Sequence, residues 1–148
     1  MSHSIEIIWY LGDQELSPGK YLTDHKVILN ENLTIDGGSS PDYGGSASNI
    51  NPEQKLAAAV SSCFMMTFLA LAAKMKWPVK NYKDKAISYL GKNNEGRMYV
   101  NKIELNPQII FDNDFTISDD EMHKMKERSH KYCFIANSLS KDVEIKIN

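Results

Sequence analysis

The 148-residue sequence lacks an excess of charge of either sign and lacks a strong cluster of basic residues. Its formal net charge is −2, and its 17 lysines and arginines are scattered along the chain. Proteins that bind nucleic acid or anionic lipid through charge carry a basic surface, so we expect neither nucleic acid nor a membrane as a partner. No basic segment followed by a long apolar one opens the sequence, which predicts no signal peptide and a cytoplasmic location.

Cysteine is scarce: the sequence has only Cys63 and Cys133. A small secreted protein held by disulfides normally has more, so a structural disulfide framework is not indicated. In a cytoplasmic protein two cysteines are either apolar packing residues or a redox pair, and the residues by themselves leave both possibilities open. Cys133 begins a predicted helical segment beside His130 and Lys131, which favours a lowered pKa of its thiol.

Metal-binding motifs are also scarce. His130 and Cys133 have a spacing that suits two zinc ligands, and Cys63 with His25 could complete a set of four. However, no Cys-x-x-Cys or His-x-x-x-His pair accompanies them, and the sequence has no phosphate-binding glycine loop. We therefore expect no metal and no other cofactor.

One long stretch, residues 56–73, has no charged residue. Three hydroxyl side chains and many alanines dilute its hydrophobicity, and it is slightly shorter than the ~20 strongly apolar residues of a membrane span. Asn51 and Pro52 are typical of a helix start, and Pro78 of a helix end. We predict a long central helix over residues 52–76. Because it is apolar nearly all round, other elements must surround it.

Apolar alternation predicts β-strands on both sides of this helix. The predicted strands are residues 4–11, 21–29 and 33–36 before it, and residues 85–90, 98–111 and 143–147 after it. Two further helical segments, residues 118–131 and 133–139, precede the last strand. The pattern is α+β. We predict one domain, residues 1–148, with an N-terminal β region of about residues 1–50 and a helix-plus-hairpin region of about residues 51–148.

The two cysteine segments together resemble the OsmC/Ohr family of osmotically induced and organic hydroperoxide resistance proteins. Residues 51–63, Asn-Pro-Glu-Gln-Lys-Leu-Ala-Ala-Ala-Val-Ser-Ser-Cys, resemble the helix that carries the reactive cysteine of that family. Residues 129–139 resemble its second cysteine segment, and the likeness extends over the chain from about residue 21. The resemblance implies an intertwined homodimer in which antiparallel β-sheet wraps a long buried central helix, with the sites at the subunit interface.

The resemblance also implies an activity and its residues. It implies a thiol peroxidase that reduces organic or fatty-acid hydroperoxides without metal or haem, with a dithiol of the dihydrolipoyl type as reductant. By position, Cys63 matches the peroxidatic cysteine, Cys133 the resolving cysteine and Glu53 the carboxylate of the site. A hypothesis of another class is that the same dimer is a non-catalytic module that binds an apolar small molecule.

The chain departs from the family pattern at one charge. Active members of the family pair the reactive thiolate with an arginine from the N-terminal β region, where this chain has Thr23. Its arginines are Arg97 and Arg128, and neither lies in that region. The thiolate then needs a replacement cation. The candidates are His25 first, followed by Lys20, His130 and Arg128.

Four large apolar residues follow the first cysteine within the predicted helix: Phe64, Met65, Met66 and Phe68. Such residues are most often core residues, and we expect this of at least two. Met and aromatic side chains also line adaptable apolar pockets, and if some of these four border the site we expect bulky organic hydroperoxides to outcompete hydrogen peroxide.

Overall fold

The computed structural model of the protein describes residues 1–112 and 114–148. Two compact units make up the chain, Met1–Lys55 and Leu56–Asn148. The division lies close to the boundary near residue 50 that the sequence indicates between the β region and the helix-plus-hairpin region. Whether the two units act as one domain stays a prediction.

The N-terminal unit contains a three-stranded antiparallel sheet in the order β1, β2, β3. Its strands are β1 (Glu6–Ile8), β2 (His25–Asn30) and β3 (Leu33–Gly37), and a short 3-10 helix follows at Pro41–Tyr43. The predicted strand over residues 21–29 begins only at His25. Before His25, the backbone groups of Leu22 hydrogen-bond to side chains instead of to a neighbouring strand. Trp9 Nε1 donates to the Leu22 carbonyl at 2.9 Å, and the Leu22 N–H donates to Gln14 Oε1 at 2.5 Å.

The long helix α1 runs over Pro52–Lys74. It begins as predicted, since Asn51 and Gln54 exchange hydrogen bonds: the Gln54 N–H donates to Asn51 Oδ1 at 2.8 Å and the Asn51 N–H donates to Gln54 Oε1 at 2.9 Å. It ends two residues earlier than predicted. Lys76 lies in the left-handed region with φ 57°, a conformation that terminates a helix.

The described residues of the C-terminal unit form five strands and two further helices. These are β4 (Val79–Lys83), β5 (Ile87–Lys92), β6 (Met98–Leu105), β7 (Gln108–Phe111), α2 (Asp119–Lys131), α3 (Phe134–Ser138) and β8 (Glu144–Ile147). β4 pairs antiparallel with β7, while β6 pairs antiparallel with β5 and parallel with β8. The predicted strand over residues 98–111 is in fact two strands, because Pro107 has no N–H for the ladder. β4 was not predicted.

One face of α1 forms the centre of the hydrophobic core. Its buried residues recur every three or four positions, and β6 and α2 contribute to the same cluster. The cluster contains Ala57, Val60, Phe64, Phe68, Ala72, Trp77, Ile103, Leu105 and Met125. The predicted α+β class, with a central helix and antiparallel sheets, is confirmed.

The opposite face of α1 is exposed in the single chain. A continuous line of small side chains and one methionine runs along it; this exposed stripe consists of Ala58, Ser62, Met66, Ala70 and Ala73. The expectation that other elements surround the helix is therefore met on one face only. By length and composition alone α1 could also cross a membrane, but a core helix passes the same test, and six of its side chains are buried.

Candidate functional site

The two cysteines lie together in the C-terminal unit. Both thiols are free and buried, with Cys63 9% exposed and Cys133 0% exposed. The two thiols are near enough for Cys63 to raise the pKa of Cys133. Residues 70 positions apart in the sequence thus form one pair, as expected if the thiols act together in redox chemistry.

Two different helices hold these thiols. Cys63 lies in the middle of α1, between the core residues Val60 and Phe64, so the amphipathic phase of the helix fixes its direction. Cys133 is the N-cap residue of α3, and its Sγ accepts a hydrogen bond from the Ala136 N–H at 3.4 Å. The positions of the two thiols therefore depend on the packing of α1 and on the N-cap of α3.

Burial determines the protonation of the second thiol. Desolvation raises the pKa of Cys133 to about 11, and its hydrogen bond with Cys63 acts in the same direction. The Ala136 N–H at the start of α3 lowers the pKa, but by less. The lowered value expected from the helix start is therefore wrong, because burial outweighs the helix terminus. At neutral pH Cys133 keeps its proton, and its S–H group can donate to the Cys63 sulfur.

Cys63 lines an apolar cavity of about 610 Å³, which we call the Cys63 trough. Its lining residues are Cys63, Met66, Thr67, Ala70, Leu71 and Lys74 on α1, with Arg128, Tyr132 and Phe134 on the facing wall. The volume lies in the range of small-molecule sites. Of the four apolar residues after Cys63, Phe64 and Phe68 are core residues, as expected of at least two; Met66 lines the trough and Met65 does not.

Glu53 lines a separate cavity of about 440 Å³ in the N-terminal unit, which we call the Glu53 pocket. Its lining consists of Thr23, His25, Gly38, Ser39, Ser40, Tyr43, Pro52 and Glu53. Thr23 is fixed here: its Oγ1 lies 2.7 Å from Ser39 Oγ and accepts from the Ser39 N–H at 3.0 Å. The Thr23 hydroxyl therefore supports the loop and supplies no charge.

Two hydrogen-bonding partners hold the ring of His25 in this pocket. Its Nδ1 lies 2.7 Å from the Thr23 carbonyl oxygen and must donate to it, so Nε2 accepts from Lys55 Nζ at 3.3 Å. A Cβ atom at Gly37 would overlap His25 Nε2, which explains the glycine there. Lys55 is thus the cation beside His25, and sequence reasoning missed it. In the sequence, the position of Lys55 two residues after Glu53 is the feature that could have identified it.

The other candidate cations lie in different surroundings. Lys20 is exposed and pairs with Glu15 at 2.8 Å. His130 is half-buried in the last turn of α2 and is not part of the lining of the trough. Arg128 lines the same cavity as Cys63. Over residues 1–112 and 114–148, no group of three His, Cys, Asp or Glu side chains is placed to hold a metal ion.

Comparisons with known proteins agree with this arrangement. A family model described as OsmC-like protein matches residues 45–148. The structure of an OsmC-like protein of unknown function from Vibrio cholerae is 32% identical over 100% of this chain and 98% of that chain, with a TM-score of 0.91. No curated protein matches the sequence.

Two organic hydroperoxide resistance proteins share the fold. The one from Elizabethkingia anophelis is 19% identical over 99% of this chain and 95% of its own, with a TM-score of 0.73. The one from Legionella pneumophila is 16% identical over 98% and 95%, with a TM-score of 0.70. At these sequence identities, the comparison shows only that this chain and the two proteins share a fold.

Proposed function

The chain belongs to the OsmC-like protein family, and on that premise we propose that it is a thiol-dependent peroxidase that reduces organic hydroperoxides through Cys63 and Cys133. One observation carries the proposal: a pair of neighbouring free thiols, one of which lines an apolar cavity. Reactive thiols are partly accessible, and an apolar cavity suits the organic part of a hydroperoxide better than hydrogen peroxide. Structural neighbours named organic hydroperoxide resistance proteins support the same class of chemistry.

The first step is attack by the Cys63 thiolate on the terminal oxygen of the hydroperoxide. An S–O bond forms, the O–O bond breaks, and the alkoxide takes a proton and leaves as the alcohol. The sulfur is oxidised to a sulfenic acid and the peroxide is reduced. Donation from the Cys133 S–H group would stabilise the thiolate, and the trough would hold the organic group.

The second step joins the two sulfurs. Cys133, as thiolate, attacks the Cys63 sulfenic sulfur, an S–S bond forms and hydroxide leaves, taking a proton to become water. An external dithiol, of the dihydrolipoyl type by resemblance, then reduces the disulfide to two thiols. By resemblance to the family, Glu53 is the proposed site carboxylate.

Stoichiometric oxidation tests this function. We expect one equivalent of cumene hydroperoxide to convert the reduced protein into a Cys63–Cys133 disulfide and to release one equivalent of cumyl alcohol. Because the pKa of Cys133 is about 11, its thiolate fraction, and with it the rate of disulfide formation, should rise about tenfold per pH unit between pH 7 and 8. Mass spectrometry of alkylated peptides and single-turnover kinetics measure both.

Two free thiols and no alcohol after treatment would contradict the peroxidase and favour the non-catalytic binding module. A rate of disulfide formation that is independent of pH would contradict the role given to Cys133. The same measurement with hydrogen peroxide is the control for substrate class, and we expect it to react more slowly because it gains nothing from apolar burial.

We also propose that the protein is a homodimer, as OsmC-like proteins generally are, and that a second copy covers the exposed stripe on α1. Ala58→Arg is expected to convert a dimer into a monomer of 16.8 kDa, because a charge buried without a partner costs several kcal/mol. Light scattering after size exclusion measures the mass. The matched control is Asn94→Arg in the exposed turn between β5 and β6, which should leave the dimer intact. A wild-type monomer, or a dimeric Ala58→Arg protein, would show that this stripe is not the interface.

A further inference from the structure

The proposed reaction needs a proton at the oxygen that leaves. When the Cys63 thiolate takes the terminal oxygen of a hydroperoxide, the other oxygen leaves as an alkoxide, which is a strong base. A negative charge that develops in an apolar cavity is costly unless a hydrogen-bond donor lies beside it. The proton therefore comes either from a side chain that lines the same cavity as Cys63 or from water.

Four polar side chains besides Cys63 line the Cys63 trough: Thr67, Lys74, Arg128 and Tyr132. The Thr67 hydroxyl donates within α1, to the Cys63 carbonyl oxygen at 2.9 Å. At the rise of an α-helix, Lys74 lies about 16 Å along the axis from Cys63. Arg128 also lines a neighbouring cavity of about 320 Å³, together with the residues that follow Lys74 in the chain. These three side chains are thus either engaged or placed toward the far end of the trough.

Tyr132 lies at the thiol end of the trough. It directly precedes Cys133, whose thiol lies beside that of Cys63, and consecutive Cα atoms are only about 3.8 Å apart. The last turn of α2 fixes this backbone, since the Tyr132 N–H donates to the Arg128 carbonyl and the Cys133 N–H to the His130 carbonyl, both at 3.1 Å. From this turn the two side chains diverge. Cys133 is 0% exposed and does not line the trough, whereas Tyr132 is 52% exposed and does.

The phenol of Tyr132 is free to donate to a ligand. Within residues 1–112 and 114–148 its hydroxyl makes no hydrogen bond, unlike that of Tyr89, which donates to Glu104 at 3.1 Å. Lys131 Nζ lies 6.0 Å from the centroid of the Tyr132 ring, so a cation–π contact supports the ring. Of the seven tyrosines in the chain, only Tyr132 lines the trough.

We propose that Tyr132 is a further catalytic residue, which donates its phenolic proton to the leaving oxygen as the O–O bond breaks. The Cys63 sulfur forms a bond to the terminal oxygen, and the electron pair of the O–O bond goes to the other oxygen. That oxygen takes the proton and leaves as the alcohol, and the tyrosinate regains a proton from water. A phenol is protonated at neutral pH, so the donor is present when the thiolate attacks. The proposal rests on the peroxidase function proposed above.

The variant Tyr132→Phe keeps the ring and removes only the proton. We expect it to lower the rate constant for cumene hydroperoxide about a hundredfold, the lower end of what a general acid contributes. With perbenzoic acid the loss should be less than about threefold, because benzoate is a weak base and leaves without a proton. Single-turnover stopped-flow kinetics of the reduced protein measure both rate constants.

Two controls separate proton donation from effects on the thiol or on packing. Alkylation of Cys63 by iodoacetamide needs the thiolate but no acid, so its rate should be the same in wild type and Tyr132→Phe. The matched variant is Tyr10→Phe, which removes the hydroxyl of a tyrosine that is 79% exposed in the N-terminal unit. It should leave the rate constants for both peroxides unchanged.

The outcomes are distinct. An equal loss for the two peroxides, or slower alkylation of Cys63, would overturn the proposal and give Tyr132 a role in packing or in activating the thiol. Unchanged rate constants in Tyr132→Phe would also overturn it, and would assign the proton to water. All three results leave the peroxidase function intact. A wild-type protein that reacts with neither peroxide contradicts that function itself, and the role of Tyr132 with it.

Discussion

Cys63→Ser is expected to lower the rate constant for cumene hydroperoxide by at least about a thousandfold, to the background of the protein without its nucleophile. A serine hydroxyl is not ionised at neutral pH and cannot form the sulfenic acid. Stopped-flow consumption of the hydroperoxide by the reduced protein measures the effect. Because Cys63 is nearly buried, the variant's urea unfolding curve serves as the control for folding.

A second variant, Cys133→Ser, distinguishes the roles of the two thiols. It should still consume one equivalent of hydroperoxide, because Cys63 remains, but it should stop there with a sulfenic acid that a dimedone probe labels. Full activity in Cys63→Ser together with an inactive Cys133→Ser would reverse the assignment of the two cysteines.

The elements that the sequence predicted well are those with local signals. The start of α1 follows from Asn51 and Gln54, whose side chains cap the helix directly. Its end was misplaced because the left-handed conformation of Lys76 has no sequence signal of the kind that a glycine gives. β4 was missed for a similar reason. Its sequence, Val-Lys-Asn-Tyr-Lys, has only two apolar residues, and it is a strand because β7 pairs with it.

The site was less predictable than the fold, because it depends on tertiary placement. Spacing alone did not pair Cys63 with Cys133; the family resemblance did. Burial, which no local sequence pattern predicts, raises the pKa of Cys133. This reverses the lowered pKa that was expected from its position at a helix start. Arg128 was one of four possible cations by composition, and only the packing of α2 shows that it lines the trough. Lys55 was overlooked because its contact with His25 joins residues 30 positions apart.

Phe68→Ala is expected to reduce the free energy of unfolding by about 3–5 kcal/mol, the cost of removing a large buried side chain and leaving a cavity. Phe68 is 0% exposed on the core face of α1, with its ring centroid 6.4 Å from that of Phe64 and 6.2 Å from that of Tyr82. The loss is a large part of the 5–15 kcal/mol typical of a folded domain. Urea denaturation at one protein concentration measures it.

Phe134 provides the same substitution in a different environment. It is 81% exposed, so Phe134→Ala should change the free energy of unfolding by no more than about 0.5 kcal/mol, although it lines the Cys63 trough. Phe68→Leu keeps most of the buried volume and should cost less than about 1.5 kcal/mol, which preserves the comparison if the alanine variant does not fold. Equal losses for Phe68→Ala and Phe134→Ala would contradict the assignment of the α1 core face as the centre of the fold, because Phe68 is fully buried there and Phe134 is exposed.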